Sequence, residues 1–158
     1  MAFITLINPD PAEITLVADT GGEVIFFFAY WRKTRRVGLV QGLWQDNREF
    51  LISDLLVYDE LLISKTPFLP FEKWGNFRKI GVGKRLLREM VSFAKNNGAA
   101  RIYGSVVPGD VRANGDLLDW YRREGFTVRD PDEKSLKNAV AVIEMRLGVE
   151  GRNMGEEG

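Results

Sequence analysis

"RKIGVGKRLL", residues 78–87, is the stretch on which the reading of this chain turns. It sets Gly81 and Gly83 among Arg78, Lys79, Lys84 and Arg85, at the head of a run with helical period. Val82, Leu86, Met90 and Ala94 recur at every fourth position, with Leu87 and Val91 beside them, which predicts a helix opening at Gly81. The first N–H groups of a helix have no acceptor within it, and the helix dipole puts partial positive charge at that end. Glycines there remove the Cβ atoms that would hold a ligand off the backbone. A phosphate or pyrophosphate suits such an end. The competing reading is a glycine turn needed only for tight strand-to-helix packing.

Upstream of that turn the chain reads as β. "EITLVAD" (residues 13–19) is rich in β-branched residues, and "TGGE" (20–23) supplies a glycine turn into "VIFFFAYW" (24–31), a hairpin signal. "RVGLVQGLW" (36–44) is a further strand, and "QDNRE" (45–49) a polar turn. "FLISDLLVYDELLI" (50–63) is either one long strand or one that bends midway. "SKTPFLPFEKWGNF" (64–77), with its prolines, glycine and aromatics, predicts an irregular loop. Downstream, "NNG" (96–98) stops the helix and "RIYGSVV" (101–107) is a buried-type strand. "PGD" (108–110) turns the chain, and residues 114–124 look helical up to Gly125. "FTV" (126–128) and "AVAVIEMRL" (139–147) are two last strands. The order predicts one mixed α/β domain over residues 1–148, antiparallel strands first and a parallel crossover in the middle, with residues 149–158 a disordered tail.

Composition narrows the chemistry. The chain has 158 residues, enough for one buried core, with 22 basic and 22 acidic residues and a formal net charge of zero. No global positive field favours nucleic acid, and "WRKTRR" (31–36), between two strands, reads as a solvated hairpin turn. Cysteine and histidine are both absent, which excludes thiol nucleophiles, imidazole bases, Ser-His-Asp triads and the usual zinc sites. Acid–base work falls to Asp, Glu, Lys, Tyr, a terminus or water. No tight carboxylate cluster suggests a metal. With no signal-peptide pattern and no apolar run of membrane-spanning length, a cytoplasmic protein without membrane partners is expected.

Two familiar phosphate motifs fail at the turn. A P-loop needs glycine where Arg78 stands and Ser or Thr where Arg85 stands; a dinucleotide fingerprint needs glycine where Leu86 stands. Residues 78–83, Arg-Lys-Ile-Gly-Val-Gly, instead fit Arg/Gln-x-x-Gly-x-Gly/Ala, and here the chain resembles the pyrophosphate loop of the GNAT superfamily of N-acetyltransferases. "NGDLLDWYRREGF" (114–126) is similar to that family's later helix, where Asn precedes Tyr by seven residues and Gly-Phe follows. "LLV" (55–57) resembles the strand before the loop. The resemblance runs from about residue 50 to 147.

The resemblance implies a mostly antiparallel central sheet with a splayed parallel strand pair, flanked by helices. It implies acetyl-CoA as co-substrate, no metal, and an amine acceptor, small molecule or protein. Leu55, Leu56 and Val57 would pair with the pantetheine arm. Arg78, Lys79, Ile80, Gly81, Val82, Gly83 and Lys84 would cradle the pyrophosphate, and Asn114 would reach the cofactor side. Tyr121 would lie near the thioester sulfur and protonate the leaving thiolate, while a strand N–H near Val57 would stabilise the oxyanion. Asp54 is the candidate general base, with Asp59, Glu60, Asp110 or water as alternatives.

Two departures matter. The segment between Val57 and Arg78 is much longer than the family's short turn, and Phe68, Phe71 and Trp74 are expected to help form an acceptor pocket. No pair of helices fits between the first strands, so the acceptor groove is either open or completed by a second subunit of a homodimer. The readings that compete with an N-acyltransferase are a non-catalytic acyl-CoA sensor or scaffold, a nucleotide-phosphate binder and, last, a nucleic-acid module.

Overall fold

A computed structural model describes residues 3–58, 61–65, 71–78 and 80–148. Main-chain contacts cluster into two compact units, residues 1–41 with 54–90 and residues 42–53 with 91–158.

The first strand, β1 (Phe3–Ile7), leads through a short 3-10 turn at Pro11–Glu13 into β2 (Ile14–Asp19) and β3 (Val24–Trp31). Along β3 burial alternates without a break, Ile25, Phe27, Ala29 and Trp31 inside, as period-two patterning requires. A tight turn into β4 (Arg35–Trp44) puts Arg32 and Lys33 at φ 49° and 65°, the left-handed pair that matches hairpin twist. "WRKTRR" is thus a hairpin turn: Arg32 pairs with Glu13 and stacks over the Trp31 ring at 4.2 Å.

A second 3-10 turn, Asp46–Arg48, leads into β5 (Glu49–Val57). The apolar run after it divides, because β5 ends at Val57 and β6 (Leu61–Lys65) belongs to another sheet. With β7 (Phe71–Gly75) this corrects the expected loop over 64–77. β7 lies between β1 and β6, parallel to β1 from Phe3↔Phe71 to Ile7↔Gly75 and antiparallel to β6. Pro67 and Pro70 suggested a loop for the whole segment, but both fall between the two strands, outside the described residues.

Helix α1 (Val82–Asn96) follows, and its buried face is the one the period predicts: Val82, Leu86, Met90 and Ala94. It stops at Gly98, φ 88°, with Gly98 N–H bonded to Lys95 O at 3.2 Å and Ala99 N–H to Ala94 O at 2.9 Å, a Schellman motif. Then come β8 (Arg101–Val106), α2 (Pro108–Ala113), α3 (Leu117–Arg123), β9 (Thr127–Arg129) and β10 (Ala141–Arg146). Where a turn was expected at 108–110 a short helix starts, and α3 begins three residues later than Asn114. Asn114 Oδ1 accepts from Asp116 N at 3.2 Å, an arrangement that competes with helix at that point.

The main sheet has the strand order β2-β3-β4-β5-β8-β10-β9. It is mostly antiparallel. Its parallel pair, β5 with β8, is registered over three positions, from Glu49↔Arg101 to Leu51↔Tyr103, whereas β5 itself runs on to Val57. The expected tail, residues 149–158, lies outside the described residues.

Candidate active site

The predicted site residues fall in two groups, one in each unit, and each group has its own geometry.

In the first unit, β4 and the end of β5 are unusually close. A Cβ on Gly38 would lie 2.8 Å from Leu56 O, 3.2 Å from Leu86 Cδ1 and 3.4 Å from Val82 Cγ1. Only glycine lets the strand pair and the first turn of α1 approach this far. Tyr58 N–H donates to Val37 O at 3.0 Å and extends the pairing past Val57. The chain then returns at Phe77, fully buried and edge-on to Trp31 at 5.8 Å. Asn76 Oδ1 accepts from Arg78 N at 2.9 Å, and Arg78 Nε reaches Val57 O at 3.5 Å, a long contact.

Gly81 makes the turn. Its φ is 87°, a conformation that costs a residue with a side chain, and no atom of the described residues lies within 4 Å of where a Cβ would stand. The first helical bond runs from Arg85 N to Gly81 O at 3.0 Å, so the amides of Val82 and Gly83 precede the ladder. Open space above bare backbone at the head of a 15-residue helix fits an anionic group. Arg85 is committed elsewhere, donating to Ile14 O at 3.0 Å. Leu56 is exposed, Leu55 and Val57 half-exposed, and Asp54 exposed. Lys79, Asp59, Glu60 and Phe68 lie outside the described residues. Phe71 is half-exposed and stacks on Phe3 at 5.5 Å, while Trp74 takes its place in the backbone of β7.

In the second unit, Tyr121 is buried at 8% exposure, edge-on to Trp120 at 5.0 Å and to Phe126 at 5.8 Å. Helix α3 ends as α1 does: Gly125, φ 97°, with Gly125 N–H to Arg122 O and Phe126 N–H to Tyr121 O, both 3.1 Å. The Schellman motif brings its third-from-last residue against the second residue past the cap, here Tyr121 against Phe126. The Tyr121–Gly125–Phe126 spacing therefore has a structural cause of its own. Asn114 is exposed and caps α2, its N–H bonded to Asp110 O at 3.0 Å. Asp110 Oδ2 is turned back to Val107 N at 3.3 Å.

The sequence reading missed an ionic cluster in this unit. Glu144, buried in β10, is met by Arg101 at 3.1 Å, Arg129 at 3.2 Å and Arg146 at 2.5 Å, and Arg101 also meets Glu49 at 3.3 Å. Burial pushes the Glu144 carboxyl up. The hydrogen bonds of Arg101 and Arg129 and the charges of Arg101 and Arg146 more than offset this and hold it below the usual range. The signal was an acid inside the apolar strand "AVIEMRL".

Solved structures share this fold. PaiA N-acetyltransferase from Thermoplasma acidophilum, in complex with coenzyme A, aligns at TM-score 0.55 and 18% identity, over 79% of this chain and 62% of that one. The chain has the GNAT fold. A GNAT family acetyltransferase from Elizabethkingia anophelis with acetyl-CoA bound aligns at TM-score 0.57 and 14% identity, over 85% and 99% of the two chains. Nourseothricin acetyltransferase aligns at 0.55 and 18%, over 86% and 85%. The chain spans about three fifths of the length of the PaiA protein. No protein-family model and no curated protein sequence matches it. In this chain a four-residue link, Thr20–Glu23, joins β2 and β3, and the strands β6 and β7 stand between β5 and α1.

Proposed function

We propose that this chain is an acyl-CoA-dependent N-acyltransferase, with acetyl-CoA as donor and an amine, small-molecule or protein, as acceptor. The observation that carries the reading is the Gly81 turn, left-handed and heading α1, the first helix to follow the parallel strand β5 once β6 and β7 have intervened, in a chain of this fold. The amides of Ile80 to Lys84 would hold the pyrophosphate, with Arg78 and Lys79 beside them. The backbone of Leu55, Leu56 and Val57, past the three positions at which β5 pairs with β8, would pair with the pantetheine arm.

An amine nitrogen attacks the thioester carbonyl directly, in a ternary complex, and an N–H near Val57 stabilises the charge that builds on oxygen. Tyr121 gives its proton to the departing thiolate, and Asn114 contacts the cofactor. The ammonium proton leaves to Asp54 or to water before attack. Phe71, with Trp74 and Phe68, forms the acceptor side. A homodimer and a cytoplasmic location complete the proposal.

One observation favours a second reading, a non-catalytic acyl-CoA sensor. Tyr121 is buried, and its spacing is already explained by the helix stop. Calorimetric titration of acetyl-CoA separates these. Binding by the native chain, lost in a folded Gly81→Val/Gly83→Val variant, supports the site; no binding at about millimolar ligand refutes it. With binding in hand, Tyr121→Phe lowering kcat by about 100-fold or more with an accepted amine supports the enzyme, that being the scale of general acid catalysis.

A further inference from the structure

Two asparagine–glycine pairs occur in the chain, Asn97–Gly98 and Asn114–Gly115, and the structure treats them in opposite ways. This pair is the sequence most open to spontaneous deamidation, because glycine adds no side chain to shield its nitrogen or stiffen the backbone. At Asn97 every participating group is engaged. Asn97 Nδ2 donates to Phe93 O at 2.8 Å, Asn97 N to the same carbonyl at 3.1 Å, and Gly98 N, the would-be nucleophile, to Lys95 O at 3.2 Å. Gly98 is also fixed at φ 88° by the end of α1.

Asn114 is the reverse. It is exposed, at the join of α2 and α3, with φ −144° and ψ 100°. Among the described residues a Cβ on Gly115 would meet nothing within 4 Å, so the backbone there has room to rotate. Asn114 Oδ1 accepts the Asp116 N–H at 3.2 Å, which draws electrons from the side-chain carbonyl carbon that must be attacked. The bond from Leu117 N to Asn114 O, 3.1 Å, is a main-chain contact that rotation about ψ must give up.

We propose that Asn114 is a site of spontaneous deamidation and that Asn97 is protected from it. The Gly115 nitrogen loses its proton to water or hydroxide and attacks Asn114 Cγ; the new C–N bond closes a succinimide and the side-chain nitrogen leaves as ammonia. Water then opens the ring at either carbonyl, giving aspartate or isoaspartate at 114. Either product puts a negative charge where an amide stood. Isoaspartate also adds a methylene to the main chain ahead of α3, the helix that bears Tyr121. The consequence for activity rests on the function proposed above, which puts the Asn114 amide on the cofactor side; the chemistry does not.

The test is ageing of the full-length native protein at mildly alkaline pH, followed by tryptic peptide mapping. The two pairs fall on different tryptic peptides, residues 96–101 and 113–122. Conversion at Asn114 is expected to outpace that at Asn97 by about tenfold or more, which corresponds to about 1.4 kcal/mol of barrier. In denaturant the gap is expected to close, since it comes from the fold. Gly115→Ala, whose added Cβ enters open space, slows conversion at 114 several-fold in the folded protein. Equal rates in the native state, faster conversion at Asn97, or no conversion at Asn114 on a timescale that modifies the denatured chain would overturn the proposal. Because the readout is mass and peptide isomer, it stands or falls without any acetyl-CoA activity.

Discussion

Replacing Gly38 by alanine tests the packing on which the proposed cofactor strand depends. The new Cβ would lie 2.8 Å from Leu56 O, closer than such contacts occur, and the obstacle is the main chain of β5 rather than a movable side chain. Leu86 and Val82, at 3.2 and 3.4 Å, are fully buried and cannot swing aside. Either β4 and β5 part or α1 lifts. Overpacking of this kind costs about 1–3 kcal/mol. Alanine also restricts the unfolded chain, which offsets about 0.4–1 kcal/mol. A net loss of about 1–2 kcal/mol remains, and at about 2–4 °C per kcal/mol the midpoint of thermal unfolding falls by about 2–8 °C. Urea and thermal unfolding, followed by tryptophan fluorescence, measure it. Gly21→Ala is the control: nothing lies within 4 Å of its Cβ and its φ is not left-handed, so it should be neutral or slightly stabilising. Since the displaced atom belongs to Leu56, affinity for acetyl-CoA should fall with stability. A Gly38→Ala protein as stable as the native chain would refute the close approach and the argument built on it.

Three further expectations rest on other contacts. Gly81→Ala meets no steric obstacle, so its cost is the left-handed φ alone, about 1–2 kcal/mol by denaturant unfolding; an unchanged midpoint would mean that the turn is not held at φ 87°. Glu144→Gln should cost about 1.5–3 kcal/mol near neutral pH, the range for hydrogen bonds to charged groups. The folded carboxyl lies below its unfolded value, so its contribution is present above the ordinary glutamate range and lost as pH falls through the folded value. The native-minus-variant difference in Tm should therefore shrink on acidification, and a gap that grows in acid would contradict the sign. Phe71→Ala removes a ring stacked on Phe3 at 5.5 Å, costing about 0.5–1.5 kcal/mol. If Phe71 faces the acceptor, KM for an aromatic amine rises while KM for acetyl-CoA stays put; equal change in both would remove it from the acceptor side.

Local features were legible in the sequence because their causes are local. The four-residue recurrence of Val82, Leu86, Met90 and Ala94 is the buried face of α1, and Gly98 and Gly125 stop their helices through hydrogen bonds that span a few residues. The sheet formed by β1, β7 and β6 was not legible. Its parallel pairing joins Phe3–Ile7 to Phe71–Gly75, and nothing within either segment names its partner. Prolines at 67 and 70 then outweighed the strand pattern on both sides of them. Gly38 and Glu144 fall between these cases. A glycine inside "RVGLVQG" and an acid inside "AVIEM" each break a strand pattern, which marks the position but not the neighbour that explains it.

Tyr121 shows why a motif and its chemistry have to be tested separately. The spacing from Tyr121 to Gly125 and Phe126 resembles a catalytic helix, yet a Schellman stop with its apolar contact demands the same spacing. The helix stop uses the ring and the backbone of residue 121 and has no need of the hydroxyl. Phenylalanine at 121 keeps the ring against Phe126 and Trp120, and Gly125 keeps its turn. Tyr121→Phe should therefore leave the ring packing in place, with any loss of stability no larger than one ordinary hydrogen bond, about 0.5–1.5 kcal/mol. A fall in kcat by about 100-fold at near-native Tm then belongs to the hydroxyl. A folded variant that turns over as fast as the native chain would assign the tyrosine to the helix stop and leave the thiolate to be protonated by water.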